Sequence, residues 1–278
     1  MPELPEVEAF AYYLEKNALD KAIKNILIKD SAVIKKITPE KFIEILTSQK
    51  FTHVTRKGKY LVLDLSNSTK KLIMHFGLTG TLDYEKSSTK PDKFTKVIFE
   101  FNNGYSLEWI DKRKFGKLWL VDSISTIAGL TKLGPDPLHL TKKKFIEILL
   151  DHKNMNIKAF LMNQNIISGI GNEYSDEILY QTGIDPHYKI DAIPANKYSL
   201  IFRKTIEVLI YATQLRKKGI EDLHGQPFFS VADTQHFKSS YLQAHRKSDR
   251  LCPNNKNHKL KTAKIAGRTS YYCPEDQT

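Results

Sequence analysis

Cysteine is nearly absent from this chain: Cys252 and Cys273 are the only two in 278 residues. Two thiols cannot build a disulfide framework, so the sequence reads as one for a reducing compartment, the cytoplasm. Apolar runs of about eighteen residues are also missing, which gives no candidate for a helical membrane span. The amino terminus is acidic and lacks an apolar core segment, so it does not read as a secretory signal. No stretch pairs a basic face with a Trp- or Phe-bearing apolar face, as a membrane-surface helix does. Acidic residues are in short supply, with 31 Asp and Glu against 43 Lys and Arg and a formal net charge of +12. Such an excess favours a polyanion as partner, because neutralising phosphates releases counterions. No internal repeat or low-complexity tail stands out.

What is present divides in two. The first part opens with a helix whose inward face carries Val7, Phe10, Ala11 and Leu14 at helical spacing. Strand-like runs follow at 22–29, 51–56, 60–65, 71–76, 95–101, 105–110 and 117–121, with a short helix at 38–46. Asn103-Gly104 lies between two of these runs and is a strong hairpin signal. Around Leu133-Gly134-Pro135-Asp136-Pro137 the pattern changes, and helices are expected from Thr141 onward, near 157–162, 172–182 and 195–215. The last fifty or so residues turn polar and basic and end in a small hairpin. The fold class is α+β: an N-terminal helix plus β-sandwich over 1–130, a linker at 131–139, a helical domain at 140–225 and a C-terminal segment at 226–278.

The opening Met1-Pro2-Glu3-Leu4-Pro5-Glu6-Val7-Glu8 carries the chemistry. Loss of Met1, expected before so small a residue, leaves Pro2 as a secondary amine with a reference pKa near ~8, far below that of lysine. Such an amine can attack a sugar carbon, with Glu3 beside it to move protons. Pro5 suits the first turn of a helix. A cationic turn, Arg56-Lys57-Gly58-Lys59-Tyr60, leads into a strand. Two further loops follow, His75-Phe76-Gly77-Leu78-Thr79-Gly80 and Asp111-Lys112-Arg113-Lys114-Phe115-Gly116. Taken alone, the turn reads as a solvated hairpin tip and Phe115 as core.

The opening segment resembles that of the formamidopyrimidine-DNA glycosylases, a family that includes endonuclease VIII relatives and uses its N-terminal proline as nucleophile. The other segments fit the same resemblance in the same order. It implies Pro2, Glu3 and Glu6 as catalytic residues, with Lys59 assisting β-elimination. Leu78 (usually Met), Arg113 and Phe115 match the residues that wedge into the duplex when a base is flipped out. The stretch from Ile157 through Gly169-Ile170-Gly171-Asn172 is similar to the family's helix–two-turn–helix. There Lys153, Lys158 and Asn172 match DNA-contacting positions, and Lys-Pro-Trp-Leu is altered to Lys158-Ala159-Phe160-Leu161. Arg268, in Gly267-Arg268-Thr269-Ser270-Tyr271-Tyr272-Cys273, matches the arginine that grips the lesion's phosphates and aids δ-elimination.

The pattern breaks at the C-terminus. The family usually ends in a zinc finger with two Cys-x-x-Cys pairs, but here each pair has lost its second thiolate, giving Cys252-Pro253-Asn254-Asn255 and Cys273-Pro274-Glu275-Asp276. A metal set could be built only from Cys252 and Cys273 with His258 and Asp276. The expectation is a finger-shaped hairpin without tightly bound zinc, and no cofactor for the chemistry. Leu242-Gln243-Ala244-His245-Arg246-Lys247 and the loop from Lys217 to Phe229 also depart from the family pattern, which bears on substrate preference. By resemblance the chain is a base-excision-repair glycosylase and abasic-site lyase. Its expected partner is double-stranded DNA with oxidised bases or abasic sites, bound by a monomer in the nucleoid. Two alternatives stand beside it. One is an endonuclease VIII-like preference for oxidised pyrimidines, against which Leu4 argues because those relatives usually carry Gly there. The other is a non-catalytic lesion-binding paralogue.

Overall fold

The computed structural model describes residues 1–222, 242–244 and 250–278. The chain divides into two compact units, one of residues 1–131 with 213–235 and one of residues 132–212 with 236–278.

The first unit opens with α1 (Leu4–Asn17), which buries Val7, Phe10, Tyr13 and Leu14. The other elements are β1 (Ile23–Ile28), β2 (Ile34–Lys35), α2 (Pro39–Leu46), β3 (Phe51–Lys57), β4 (Tyr60–Leu65), β5 (Ser68–His75), β6 (Gly80–Lys86), β7 (Thr95–Phe101), β8 (Tyr105–Asp111), β9 (Lys117–Val121) and the single turn α3 (Ala128–Thr131). The strands form two sheets, β1-β7-β8-β6 and β2-β9-β5-β4-β3. Alternation decides what each face does. Leu61, Leu63, Leu72 and Leu118 of one sheet meet Ile26, Val97, Phe99 and Leu107 of the other and Val7, Phe10 and Leu14 of α1 in a single cluster. On the opposite face of the second sheet, Val62, Ile73, Trp119 and Val121 pack with Ile127. The expected sandwich behind one helix is therefore present.

The second unit holds α4 (Lys142–Asp151), α5 (Ile157–Met162), α6 (Asn172–Thr182) and the first part of α7 (Tyr198–Asp222), and it ends in the hairpin β10 (Lys261–Ile265) and β11 (Arg268–Tyr272). The Thr141 side chain accepts the Lys144 N–H at the start of α4, satisfying an N–H that has no partner inside the helix. Asn156 does the same for α5 through Ala159 N–H. Gly183 ends α6 in the left-handed conformation at φ +64°, as a helix C-terminus favours. Phe145 of α4 sits edge-on to Phe160 of α5 and tilts against Phe202 of α7.

Besides the short β2 and α3, the structure departs from the sequence reading at one strand and one helix. Strand β6 was not expected, because residues 75–80 read as turn and the strand itself is half polar. Helix α7 starts and ends later than expected, and its final turns to Asp222 belong to the first unit. Parts of two sequence segments, 223–229 and 245–247, lie outside the described residues.

Candidate active site

In the first unit the site begins at the N-cap of α1. Glu3 is extended, at φ −112° and ψ −170°, and forms a reciprocal capping box with Glu6. Its N–H donates to Glu6 Oε2 at 2.7 Å. Both carboxylates are nearly out of water, Glu3 at 1% and Glu6 at 6% exposure. The other oxygen of Glu6, Oε1, lies 2.5 Å from Arg216 Nη2 on α7. Sequence reasoning missed Arg216. It lies one residue beyond the expected end of that helix, and no local pattern marks it. Pro2 precedes this turn and is half-buried. With Met1 attached, its nitrogen belongs to a peptide bond.

Lys59 occupies the tight turn between β3 and β4, where Lys57 pairs with Tyr60. Gly58, at φ +56°, takes the position that a two-residue hairpin turn reserves for a residue without Cβ. Lys59 is buried at 7% exposure, so the solvated-tip reading does not hold. Arg56 braces the same turn, donating Nη1–H to the Gly58 carbonyl at 3.4 Å and Nε–H to Glu8 at 2.7 Å.

His75 is a second residue that sequence reasoning did not single out. It lies opposite Tyr60 in the β4–β5 register, with ring centroids 4.6 Å apart. Burial, together with the charges of Lys59 and Lys117, holds its imidazole down at about 4. It is therefore neutral near pH 7, and its Nδ1 accepts the Gly77 N–H at 3.3 Å.

The two loops that follow interlock. A Cβ on Gly77, at φ +56°, would meet the Phe115 carbonyl carbon at 2.4 Å and Gly116 N at 2.6 Å. Asp111, fully buried, ties them further. Its Oδ1 accepts the Thr79 hydroxyl at 2.6 Å and the Arg113 N–H at 3.2 Å, and its Oδ2 accepts the Gly116 N–H at 2.6 Å. Leu78 is half-buried and Arg113 exposed. Phe115 is 50% exposed rather than core, with the Arg113 guanidinium 5.1 Å from its ring centre.

In the second unit, Gln164 shapes the glycine turn before α6. Its Oε1 accepts the Gly169 N–H at 2.9 Å, and its Nε2 donates to the Ile170 carbonyl at 2.6 Å. Asn172, half-buried at the head of α6, donates to the Thr269 carbonyl at 2.9 Å, which places the Asn172 helix end against the strand of Arg268. Arg268 is exposed and follows Ala266 and Gly267, both at positive φ (49° and 72°). This is the turn that a two-residue hairpin of right-handed twist requires. Lys153 is exposed after α4. Lys158, matched from sequence to a DNA-contacting position, is instead fully buried and ion-paired with the equally buried Asp176, which also accepts the Ser270 hydroxyl at 2.6 Å, so it offers no charge to a phosphate.

The C-terminal finger brings the four singled-out donors together. Cys252 Sγ lies 2.8 Å from Asp276 Oδ2, and His258 Nδ1 lies 2.8 Å from Asp276 Oδ1. The donor atoms of Cys252, Cys273 and Asp276 all fall within 4.8 Å of one another, as do those of His258, Cys273 and Glu275. Two thiols, an imidazole and a carboxylate are a set that zinc accepts. The Tyr180 hydroxyl, 3.0 Å from Cys252 Sγ, and Asn255, 3.2 Å from His258 Nε2, complete the network.

Comparison with known proteins puts this geometry in context. The formamidopyrimidine-DNA glycosylase N-terminal domain matches residues 1–118, and the formamidopyrimidine-DNA glycosylase H2TH domain matches residues 133–224. The formamidopyrimidine-DNA glycosylase of Pelotomaculum thermopropionicum is 31% identical, covering 100% of this chain and 99% of the relative. That of Mycoplasma genitalium is 31% identical over 98% of this chain and 94% of its own length. Among solved structures, wild-type Lactococcus lactis Fpg (MutM) in complex with DNA containing N7-benzyl-Fapy-dG superposes with a TM-score of 0.85 at 26% identity, with full coverage of both chains. A MutM complex with DNA containing carbocyclic 8-oxo-G gives 0.83 at 26% identity, again over both whole chains. The fold is that of a DNA glycosylase with a β-rich N-terminal domain and a helix–two-turn–helix domain. Within that class, the chain belongs to the formamidopyrimidine-DNA glycosylase family.

Proposed function

We propose that this protein excises oxidised bases, oxidised purines such as 8-oxoguanine and formamidopyrimidines first among them, and then cleaves the resulting abasic site. Once Met1 is removed, the Pro2 nitrogen attacks C1′ of the damaged nucleoside. The glycosidic bond breaks, and the base leaves with a proton. The sugar ring opens as the imine forms, Glu3 giving and taking protons. Loss of the 3′ phosphate by β-elimination is assisted by Lys59, and loss of the 5′ phosphate by δ-elimination is assisted by Arg268, leaving a one-nucleoside gap. Leu78, Arg113 and Phe115 fill the space left by the flipped base. Lys59, Lys153, Asn172 and Arg268 hold phosphates, Lys158 braces the helix–two-turn–helix from inside through Asp176, and Glu6, expected as a catalytic residue, instead orders the first turn, both its oxygens being held within the protein. Residues 131–139 serve as the linker, and the protein works as a monomer on cytoplasmic DNA.

The observation that carries this reading is the first turn of α1. There Glu3, buried to 1% exposure, sits next to Pro2 in a chain of this family. Borohydride reduction with an oxidised-purine duplex is expected to trap the wild type covalently and Pro2→Gly far less. No adduct with either oxidised or abasic DNA would remove the enzymatic reading. Single-lesion duplexes test the substrate, and faster excision of oxidised pyrimidines would reverse the preference.

No step calls on a metal. If loaded, Cys252, His258, Cys273 and Asp276 would hold a structural zinc and brace the hairpin that carries Arg268. Asn255 and Asp276 stand where a zinc finger keeps its second thiolates, and an amide is a poor zinc ligand, so purified protein is expected to hold no stoichiometric zinc and to melt at the same temperature with and without a chelator. Elemental analysis beside the melt checks both.

A further inference from the structure

The proposed chemistry needs Pro2 and Glu3 seated to within a fraction of an ångström, and the capping box of the opening turn is itself held from outside the opening eight residues. Glu6 faces two ways. One carboxylate oxygen takes the Glu3 N–H at 2.7 Å and the other takes Arg216 at 2.5 Å. Both oxygens are thus committed inside the protein, and the two side chains are 8% and 2% exposed. A buried ion pair of this kind adds little net stability over apolar residues of the same size, so placement is its more direct physical consequence.

Arg216 does not act in isolation. The next residue, Lys217, lies 3.4 Å from Glu8 Oε1, and Arg56 takes Glu8 Oε2 at 2.7 Å. Arg56 in turn donates to the Gly58 carbonyl, in the hairpin that carries Lys59. One turn further along α7, the Tyr12 hydroxyl is 2.5 Å from Glu221 Oε1. The tail of α7 is therefore joined by charge to the helix that presents Pro2 and, through Glu8 and Arg56, to the turn that presents Lys59.

We propose that Arg216 is a positioning residue for the reaction: by holding Glu6, it sets the first turn of α1 and hence the seat of Pro2 and Glu3. This rests on the reading of Pro2 as nucleophile. Arginine suits the task because its rigid guanidinium fork fixes direction as well as charge.

The test compares Arg216→Gln, Arg216→Lys, Glu6→Gln and the double variant Glu6→Gln/Arg216→Gln. The readouts are single-turnover excision and affinity for a duplex with an uncleavable abasic analogue. Displacing reacting groups by about an ångström costs on the order of 10²-fold in rate. Arg216→Gln is expected to lose about that much while binding the analogue duplex within about threefold of wild type, and Arg216→Lys is expected to recover part of the rate. If Arg216 works through Glu6, the double variant is no slower than the slower single variant, because the two losses are one loss. A wild-type rate in Arg216→Gln, or losses that multiply in the double variant, overturns the proposal. Thermal unfolding is run on each protein. Should Arg216→Gln fail to fold, the double variant, which leaves no buried charge stranded, is compared with Glu6→Gln alone: equal rates support the proposal and a further tenfold or so loss overturns it. Failure of the wild type to form a trapped adduct would count against the glycosylase reading, whereas a trapped wild type with an unaffected Arg216→Gln counts against Arg216 only.

Discussion

Asp83 is set in β6 directly across from Glu108 of β8. Burial, and then the charges of Glu85 and Glu108, push its carboxyl up to about 7. The folded-state value lies above the ordinary one, so the folded protein binds the proton more tightly than the unfolded chain does. The resulting stability penalty is fully present above about pH 7 and disappears as pH falls towards 4. Asp83→Asn is therefore expected to raise the melting temperature at pH 8, with the gain shrinking to nothing by about pH 4. A gain that stayed constant with pH would show another cause. His75 sits at the other extreme. Held neutral down to about pH 4, it adds no positive charge of its own beside Lys59 through the range where the protein would act. Arg268 is exposed, and in the proposed mechanism it acts only after the imine has formed, so Arg268→Ala is expected to preserve the covalent adduct. It should slow conversion of the β-eliminated product to the δ-eliminated one by about 10²-fold, read as a persistent intermediate band on a denaturing gel.

Among elements, α6 is anchored on two sides. Lys158 of α5, Asp176 of α6 and Ser270 of β11 meet where no water reaches, tying both helices to the terminal hairpin. Removing one partner strands the other charge, so Asp176→Ala is expected to cost about 3–5 kcal/mol, measured by urea unfolding. This α6 was read from sequence to its true ends, because Gly171 before it and Gly183 after it are unambiguous punctuation. The strands on either side of Asn103-Gly104 were equally plain, since alternation and turn chemistry agree there. Helix α7 was cut short because Arg216 to Asp222 looks like solvated surface. Of those residues, Arg216, Lys217 and Glu221 pair with Glu6, Glu8 and Tyr12, which lie some two hundred positions away, and no local pattern reveals such partners. Strand β6 was missed for a related reason: Asp83, Glu85 and Lys86 hide its alternation. Within the site, Pro2, Glu3 and Lys59 were legible through motif, whereas Arg216 and His75 take their meaning only from what lies beside them.

At the scale of the molecule, the excess of 12 positive charges predicts steep salt dependence. Affinity for duplex is expected to fall linearly on a log–log plot, and Lys153→Ala should reduce that slope by about 1 while weakening all sequences alike. Filter or anisotropy titrations at several salt concentrations would measure both. An intact mass one methionine short of the translated chain is the matching expectation for the amino terminus. Among the described residues no helix is long and apolar enough to cross a membrane. The close approach of Gly77 to the Phe115 backbone has a reach beyond its own turn. Two loops from separate parts of the chain are locked so tightly that neither can advance without the other. On the proposed reading, Leu78 and the Arg113–Phe115 pair then enter a duplex as one blade rather than as two probing fingers, and a single methyl group added at position 77 is expected to blunt both edges together.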